Sequence, residues 1–123
     1  WHCINVNVKI FVLNNNGYAL IKQTQETWLN ANYSGVDKQS GLSLPDNCKV
    51  ANSYGIKSIT INSHNELDQK LKKIYKTKGP ILVDVRIDPK SRVAPKIAFG
   101  KPLHDMSPSL PEKLIKSILN NNN

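Results

Sequence analysis

The chain has 123 residues, 39% of them hydrophobic, and a formal charge of +8 from 17 Lys and Arg against 9 Asp and Glu. That length makes one domain or less, able to bury roughly two thirds of its unfolded surface if complete, and the composition is not that of a disordered chain. The longest strictly apolar runs are four residues, which excludes a membrane-spanning helix.

Residues 1–7 read as the end of an element already under way, with His2 a packing or surface histidine rather than a ligand or base. Residues 10–13, Ile-Phe-Val-Leu, form a short run of β-formers between polar neighbours, which predicts a buried strand. Asn14, Asn15, Asn16 and Gly17 follow. Asn and Gly tolerate the left-handed backbone, so a sharp turn is expected, with amides and carbonyls open to a ligand. A helical pattern begins at once, with Tyr18, Ile21, Gln25 and Trp28 on one face. Strand, polar turn and helix in that order put a helix N-terminus at the carboxyl end of a strand, where α/β sheets usually seat a phosphate. Taken alone, three Asn and a Gly are also an ordinary loop.

Residues 30–44 are polar, with turn signals at Gly35 and Gly41; that length suggests a functional loop or lid. A helix is expected over 45–54, with Pro45 in its first turn, Gly55 as its stop, and Val50, Ala51 and Tyr54 as an apolar edge. Residues 56–61 read as a second strand. Ser63 and Glu66 have the spacing of a capping box, with His64 inside it structural or exposed. The helix it opens carries Leu67, Leu71, Ile74 and Tyr75 on one stripe. Glu66/Lys70 and Asp68/Lys72 pair at i,i+4, and the lysines between 70 and 78 read as a solvated face. Gly79-Pro80 punctuates a third strand over 81–87, where Asp84 and Arg86 share a face. That polarity suggests an edge position or a polar partner. Asp84 could be a catalytic acid, but a structural role is the favoured reading. Beyond Asp88 the chain is Pro-punctuated until a final helix over 110–119, with Leu114, Ile115, Ile118 and Leu119 inward and residues 120–123 frayed.

Three strands alternating with helices predict an α/β fold, a three-layer doubly wound parallel sheet that is incomplete in this chain. Cys3 and Cys48 are too far apart for a metal knuckle and fit burial in a reducing cytoplasmic setting. No basic-then-apolar leader is visible, and the absence of an initiating Met fits a fragment or a processed chain. The charge invites nucleic acid as a partner, but 15 of the 17 basic residues are Lys and Asn also occurs 15 times. Arg forks do most phosphate and base recognition, so a compositional bias explains the charge and nucleic acid is set aside.

The segment Asn14-Asn15-Asn16-Gly17-Tyr18, continued by Ile21-Lys22-Gln23-Thr24-Gln25, resembles the second half of the thiamin diphosphate motif of the acetolactate synthase/pyruvate decarboxylase group. Similar likenesses lie in Ser40-Gly41-Leu42-Ser43-Leu44-Pro45-Asp46, in Ala51-Asn52-Ser53-Tyr54-Gly55-Ile56, in Gly79-Pro80 with Asp84-Val85, and in Pro102-Leu103-His104-Asp105-Met106-Ser107-Pro108. The last makes His104-Asp105 part of a tail motif rather than an acid/base pair. The resemblance covers most of residues 8–108. Asn47 departs from it, since the family usually has an apolar or aromatic anchor there, and looser packing of that helix is expected.

The resemblance implies that residues 1–104 are the carboxyl-terminal half of the diphosphate-binding domain and 105–123 a tail. It implies Mg²⁺ held by the Asn15 side chain and the Gly17 carbonyl, with Asn15, Gly17, Tyr18 and Ile21 against thiamin diphosphate and no catalytic residue in the chain. Mg²⁺ is a hard cation that takes oxygen ligands and shares them with phosphate. The family's motif opens with Gly-Asp-Gly a couple of dozen residues earlier, and no such triplet exists here. The implied whole is an enzyme acting on a small 2-oxo acid by carboligation or decarboxylation. Its upstream parts and a homo-oligomeric partner subunit are implied as this chain's partners, with the chain inactive alone. The alternative is a non-catalytic α/β remnant or accessory module that only packs against a partner.

Overall fold

A computed structural model describes residues 6–97, 100–102 and 105–120. The readings of His2, Cys3, His104 and residues 121–123 lie outside them, as do the side chains of Ile118 and Leu119. The described chain forms two compact units, 1–91 and 92–123.

In the first unit, β1 (Lys9–Asn14), β2 (Lys57–Ile61) and β3 (Ile81–Arg86) make a parallel sheet in the order β1-β3-β2. Lys9 of β1 and Lys57 of β2 both stand opposite Ile81 of β3, so the three strands start level, and β2 ends one residue short of the other two. α1 (Ala19–Trp28), α2 (Asn47–Ser53) and α3 (Leu67–Lys76) are the connections, and the Asn14–Gly17 turn stands at the carboxyl end as expected. Lys9 Nζ donates to the Thr77 and Gly79 carbonyls at 2.7 and 2.9 Å, tying the start of β1 to the turn before β3.

The core is Ile61, Ile74, Ile81 and Val83, with Ile59, Leu67, Leu71 and Val85 packed on it. This confirms most of the α3 stripe. Tyr75 is not part of it: it is 66% exposed, because the α3 stripe is centred on Ile74 and its neighbour in sequence points away. α2 packs on β2 and β3 with Ala51 buried.

One alternative is decided and two expectations are corrected. β3 is the central strand, so of the two readings of its polarity the polar partner is the one that holds: Asn14 and Asn47 donate to buried Asp84. α2 starts at Asn47, after Pro45: Asp46 is the N-cap, its carboxylate accepting from the Lys49 amide at 3.0 Å. That hydrogen bond also holds the Asp46 pKa below the ordinary carboxylate range. The Ser63–Glu66 capping box does not close. Ser63 makes no side-chain cap, residues His64–Glu66 form a 3₁₀ turn, and Glu66 Oε2 accepts from the Asn62 amide at 3.0 Å and Lys70 Nζ at 2.7 Å. Lys70 also donates to the Thr60 carbonyl at 2.6 Å, so it links α3 to β2 rather than facing water alone.

The second unit holds β4 (Lys96–Ile97) and β5 (Met106–Ser107), paired antiparallel, and α4 (Glu112–Asn120). Ile115 is half-buried, whereas Leu114, expected inward, is exposed.

The strand expected over residues 10–13 forms but is not buried: β1 lies at the sheet edge with Ile10, Phe11 and Leu13 exposed, Leu13 to 68%, and α1 buries none of its side chains. An unpaired apolar edge templates association. The isolated chain is therefore expected to self-associate despite its charge of +8. Sizing with light scattering checks this; a clean, stable monomer would show that the edge is self-sufficient.

Candidate functional site

The loop after β1 is built from its own side chains. Asn14 Oδ1 accepts from the Asn16 amide at 3.0 Å, and Asn15 Oδ1 accepts from the Gly17 amide at 3.1 Å, giving two successive Asx turns. Asn16 takes the left-handed backbone, with φ 59°. Gly17 does not, and is glycine for another reason. The Tyr18 amide donates to the Val36 carbonyl at 2.8 Å, and a Cβ on Gly17 would run into that same oxygen. Tyr18 caps α1 without a side-chain hydrogen bond, and it and Ile21 are both half exposed.

The 30–44 segment is ordered against this loop. Val36 is 1% exposed and Asp37 bridges to Gly17. Asp37 accepts from Lys22 Nζ at 2.7 Å and from the Ser40 amide and hydroxyl at 3.0 and 2.8 Å, while Lys22 also lies 4.7 Å from the centre of the Tyr33 ring. The Lys22 ammonium, then Ser40, hold the Asp37 pKa at about 2 against an ordinary 3.8. A lowered carboxylate pKa stabilises the fold above 3.8, and that contribution is lost as pH falls towards 2. Lys22→Met is expected to flatten the acid limb of the stability–pH curve in that window, measured by urea unfolding at stepped pH. An unchanged acid limb would remove Lys22 from this role.

At the carboxyl ends of β1 and β3 a polar network surrounds Asp84, which is fully buried. Asn14 Nδ2 and Asn47 Nδ2 donate to its Oδ1 at 2.9 and 3.3 Å. Arg86 Nη2 lies 2.8 Å from Oδ2, but as an ion contact only: its N–H is not aligned, and Oδ2 accepts no hydrogen bond. Arg86 Nη1 donates to Asn16 Oδ1 at 3.2 Å. Asn47 thus ties the start of α2 to the sheet by a polar contact.

A cleft of about 410 Å³ opens beside this network, lined by residues 14–17, Leu44, Asp46, Asn47 and Arg86. A second hollow, of about 610 Å³, runs from Asn16 to Lys38 and residues 41–44. Asn15 and Gly17, singled out in the sequence, share the first cleft; Tyr18 and Ile21 are not among its walls. Sequence reasoning missed Asp46, Asn47 and Arg86 as wall residues. The one available signal was the Asp84/Arg86 pair in an otherwise apolar strand. Among the described residues no group of three or more His, Cys, Asp or Glu could hold a metal.

Residues 3–85 match the family described as thiamine pyrophosphate enzyme, C-terminal TPP binding domain. The chain belongs to this family. It is similar to the mitochondrial acetolactate synthase catalytic subunit of Saccharomyces cerevisiae, 36% identical over 98 residues, which is 80% of this chain and 14% of that protein. The acetolactate synthase large subunit of Cyanidium caldarium is 32% identical over 96 residues, 78% of this chain and 16% of its own length. Acetolactate synthase 1, chloroplastic, of Zea mays is 30% identical over 106 residues, 83% of this chain and 17% of its own. The chain therefore spans about a sixth of the length of the curated relatives it matches.

The chemistry of the cleft is compatible with a metal-bound diphosphate. Asn15 Oδ1 and the Gly17 carbonyl are neutral oxygens of the type a hard dication takes, on a turn at the carboxyl end of a parallel strand. Arg86, opposite Asn14 in the sheet and also lining the cleft, carries a guanidinium of the kind that suits an anionic group. No helix among the described residues is long and apolar enough to cross a membrane.

Proposed function

We propose that this chain supplies the Asn-Asn half of a thiamin diphosphate and Mg²⁺ site in an enzyme acting on small 2-oxo acids, by acetolactate synthase-like carboligation or by decarboxylation. Residues 1–104 form the carboxyl-terminal half of its diphosphate-binding domain and 105–123 its tail, in a cytoplasmic protein. The observation that carries this reading is the double Asx turn, Asn14 to Gly17, at the carboxyl end of a parallel strand in a chain of this family. In it Asn15 and the Gly17 carbonyl hold the metal, and Tyr18 and Ile21 pack towards the cofactor. Bound thiamin diphosphate supplies the electron sink for making or breaking the carbon–carbon bond next to the 2-oxo group. This chain binds and orients; its upstream region and a homo-oligomeric partner subunit supply the rest. The absence of a Gly-Asp-Gly triplet favours a second reading for the chain in isolation, a non-catalytic α/β module that packs against a partner.

Calorimetry with thiamin diphosphate and Mg²⁺ tests the proposal. The 123-residue chain offers no anionic ligand equivalent to the motif's Asp, so tight binding is not expected. A longer protein that restores the Gly-Asp-Gly region should bind. Micromolar binding by the chain alone would refute the missing-half argument, and no binding by the longer protein would leave the packing module as the function.

A further inference from the structure

Asp84 is a fully buried carboxylate in the middle strand, with nothing so far to do but be there. A buried ion pair is seldom more stabilising than apolar side chains of the same size, so stability alone does not account for it. Its contacts point elsewhere. Asp84 Oδ1 holds Asn14 Nδ2 at 2.9 Å, and because an amide is planar, fixing its nitrogen also aims its oxygen. That oxygen accepts from the Asn16 amide, closing the turn in which Asn16 is left-handed; the next turn sets Asn15 Oδ1 on the Gly17 amide. Arg86 faces Asp84 Oδ2 and holds Asn16 Oδ1 as well, and Asn47 ties the start of α2 to Asp84 Oδ1. One carboxylate therefore reaches the loop through both Asn14 and Asn16.

We propose that Asp84 is a positioning residue for the Asn15 and Gly17 oxygens: it clamps the first Asn so that the second can present its donor to the cleft. This rests on the proposed assignment of those two oxygens to a metal-bound diphosphate. Charge-assisted hydrogen bonds to a carboxylate are stronger than neutral ones, which suits a clamp that must not drift when the cleft is filled. Asp84→Asn keeps the shape but cannot serve both sides. Its oxygen can face Asn14 only by turning its NH₂ towards Arg86, and the reverse loses Asn14.

The test uses the ¹⁵N-labelled 123-residue chain with MnCl₂ and inorganic pyrophosphate as the probe. In the unaltered chain, paramagnetic broadening should be concentrated at Asn15, Asn16 and Gly17, at millimolar probe. In folded Asp84→Asn, the Asn16 and Gly17 amides should exchange about tenfold faster, the effect of one charge-assisted hydrogen bond. The same broadening should need roughly 10–100-fold more probe, the usual range for a residue behind a ligand. Unchanged exchange in the folded variant overturns the proposal. So does faster exchange with an unchanged probe response, which would make Asp84 structural only. No broadening at the loop in the unaltered chain overturns the metal assignment and the proposal with it, and the exchange measurement still reports separately on the clamp. If Asp84→Asn does not fold, the side-chain amide of Asn14 in the unaltered chain decides: slowed exchange relative to exposed Asn30 supports the clamp, and equal exchange overturns it.

Discussion

Asn15→Ala, made in a protein where the Gly-Asp-Gly region is restored, is expected to abolish calorimetrically detectable binding of thiamin diphosphate with Mg²⁺. Mg²⁺ demands a near-ideal octahedron and dehydrates reluctantly, so a lost oxygen ligand is not replaced by slack elsewhere. Even residues behind the ligands typically cost about 10–100-fold, so the loss of a ligand should exceed that range. The same variant removes the acceptor of the Gly17 amide and loosens the second oxygen donor with it. Asn14→Ala and Asn16→Ala should cost less, because neither side chain supplies an oxygen assigned to the metal: Asn14 is held between Asp84 and the Asn16 amide, and Asn16 by Arg86. An Asn15→Ala protein that still binds would refute the site assignment.

Arg86→Met should show the second large effect, on stability. It leaves Asp84 charged, fully buried and, among the described residues, served only by the amides of Asn14 and Asn47. Removing one partner of a buried pair typically costs about 3–5 kcal/mol. The guanidinium is 39% exposed, so the lower end, near 3 kcal/mol, is expected. Against a total stability of about 5–15 kcal/mol this is a large fraction, visible as a clear drop in the urea midpoint. A change below about 1 kcal/mol would mean that Asp84 is satisfied by its two amides alone.

The strands, helices and the Asn14–Gly17 turn were readable because their signals are local. The run of residues 10–13, the α3 stripe of Leu67, Leu71 and Ile74, and turn chemistry each depend on neighbours a few places away. The family motif is local too, so Asn15 and Gly17 could be named from the chain alone. Local pattern also misled. The Ser63/Glu66 spacing fits a capping box, yet Glu66 found the Asn62 amide and Lys70 instead. Pro45 suited a first turn, but Asp46 is the stronger cap.

What the amino-acid order determined by itself is the three parallel strands, the helices between and after them, and the chemistry of the loop between β1 and α1; the short β4–β5 pair in the Pro-punctuated stretch was not legible. Which strand is central, and what stands behind the loop, was decided by tertiary contacts. Polar alternation in residues 81–87 is compatible with an edge strand or with a buried network; only the pairing of β3 with both neighbours distinguishes them. Asn14 and Asp84 are 70 residues apart, and Asn47 and Asp84 are 37 apart. Gly17 reads in sequence as a left-handed turn residue, whereas in the fold it is the carbonyl of Val36, held there by the Tyr18 amide and the Gly17–Asp37 bridge, that excludes a Cβ. A side chain's partner across such distances is set by where the sheet and loops place it, and no periodicity or turn propensity encodes that placement.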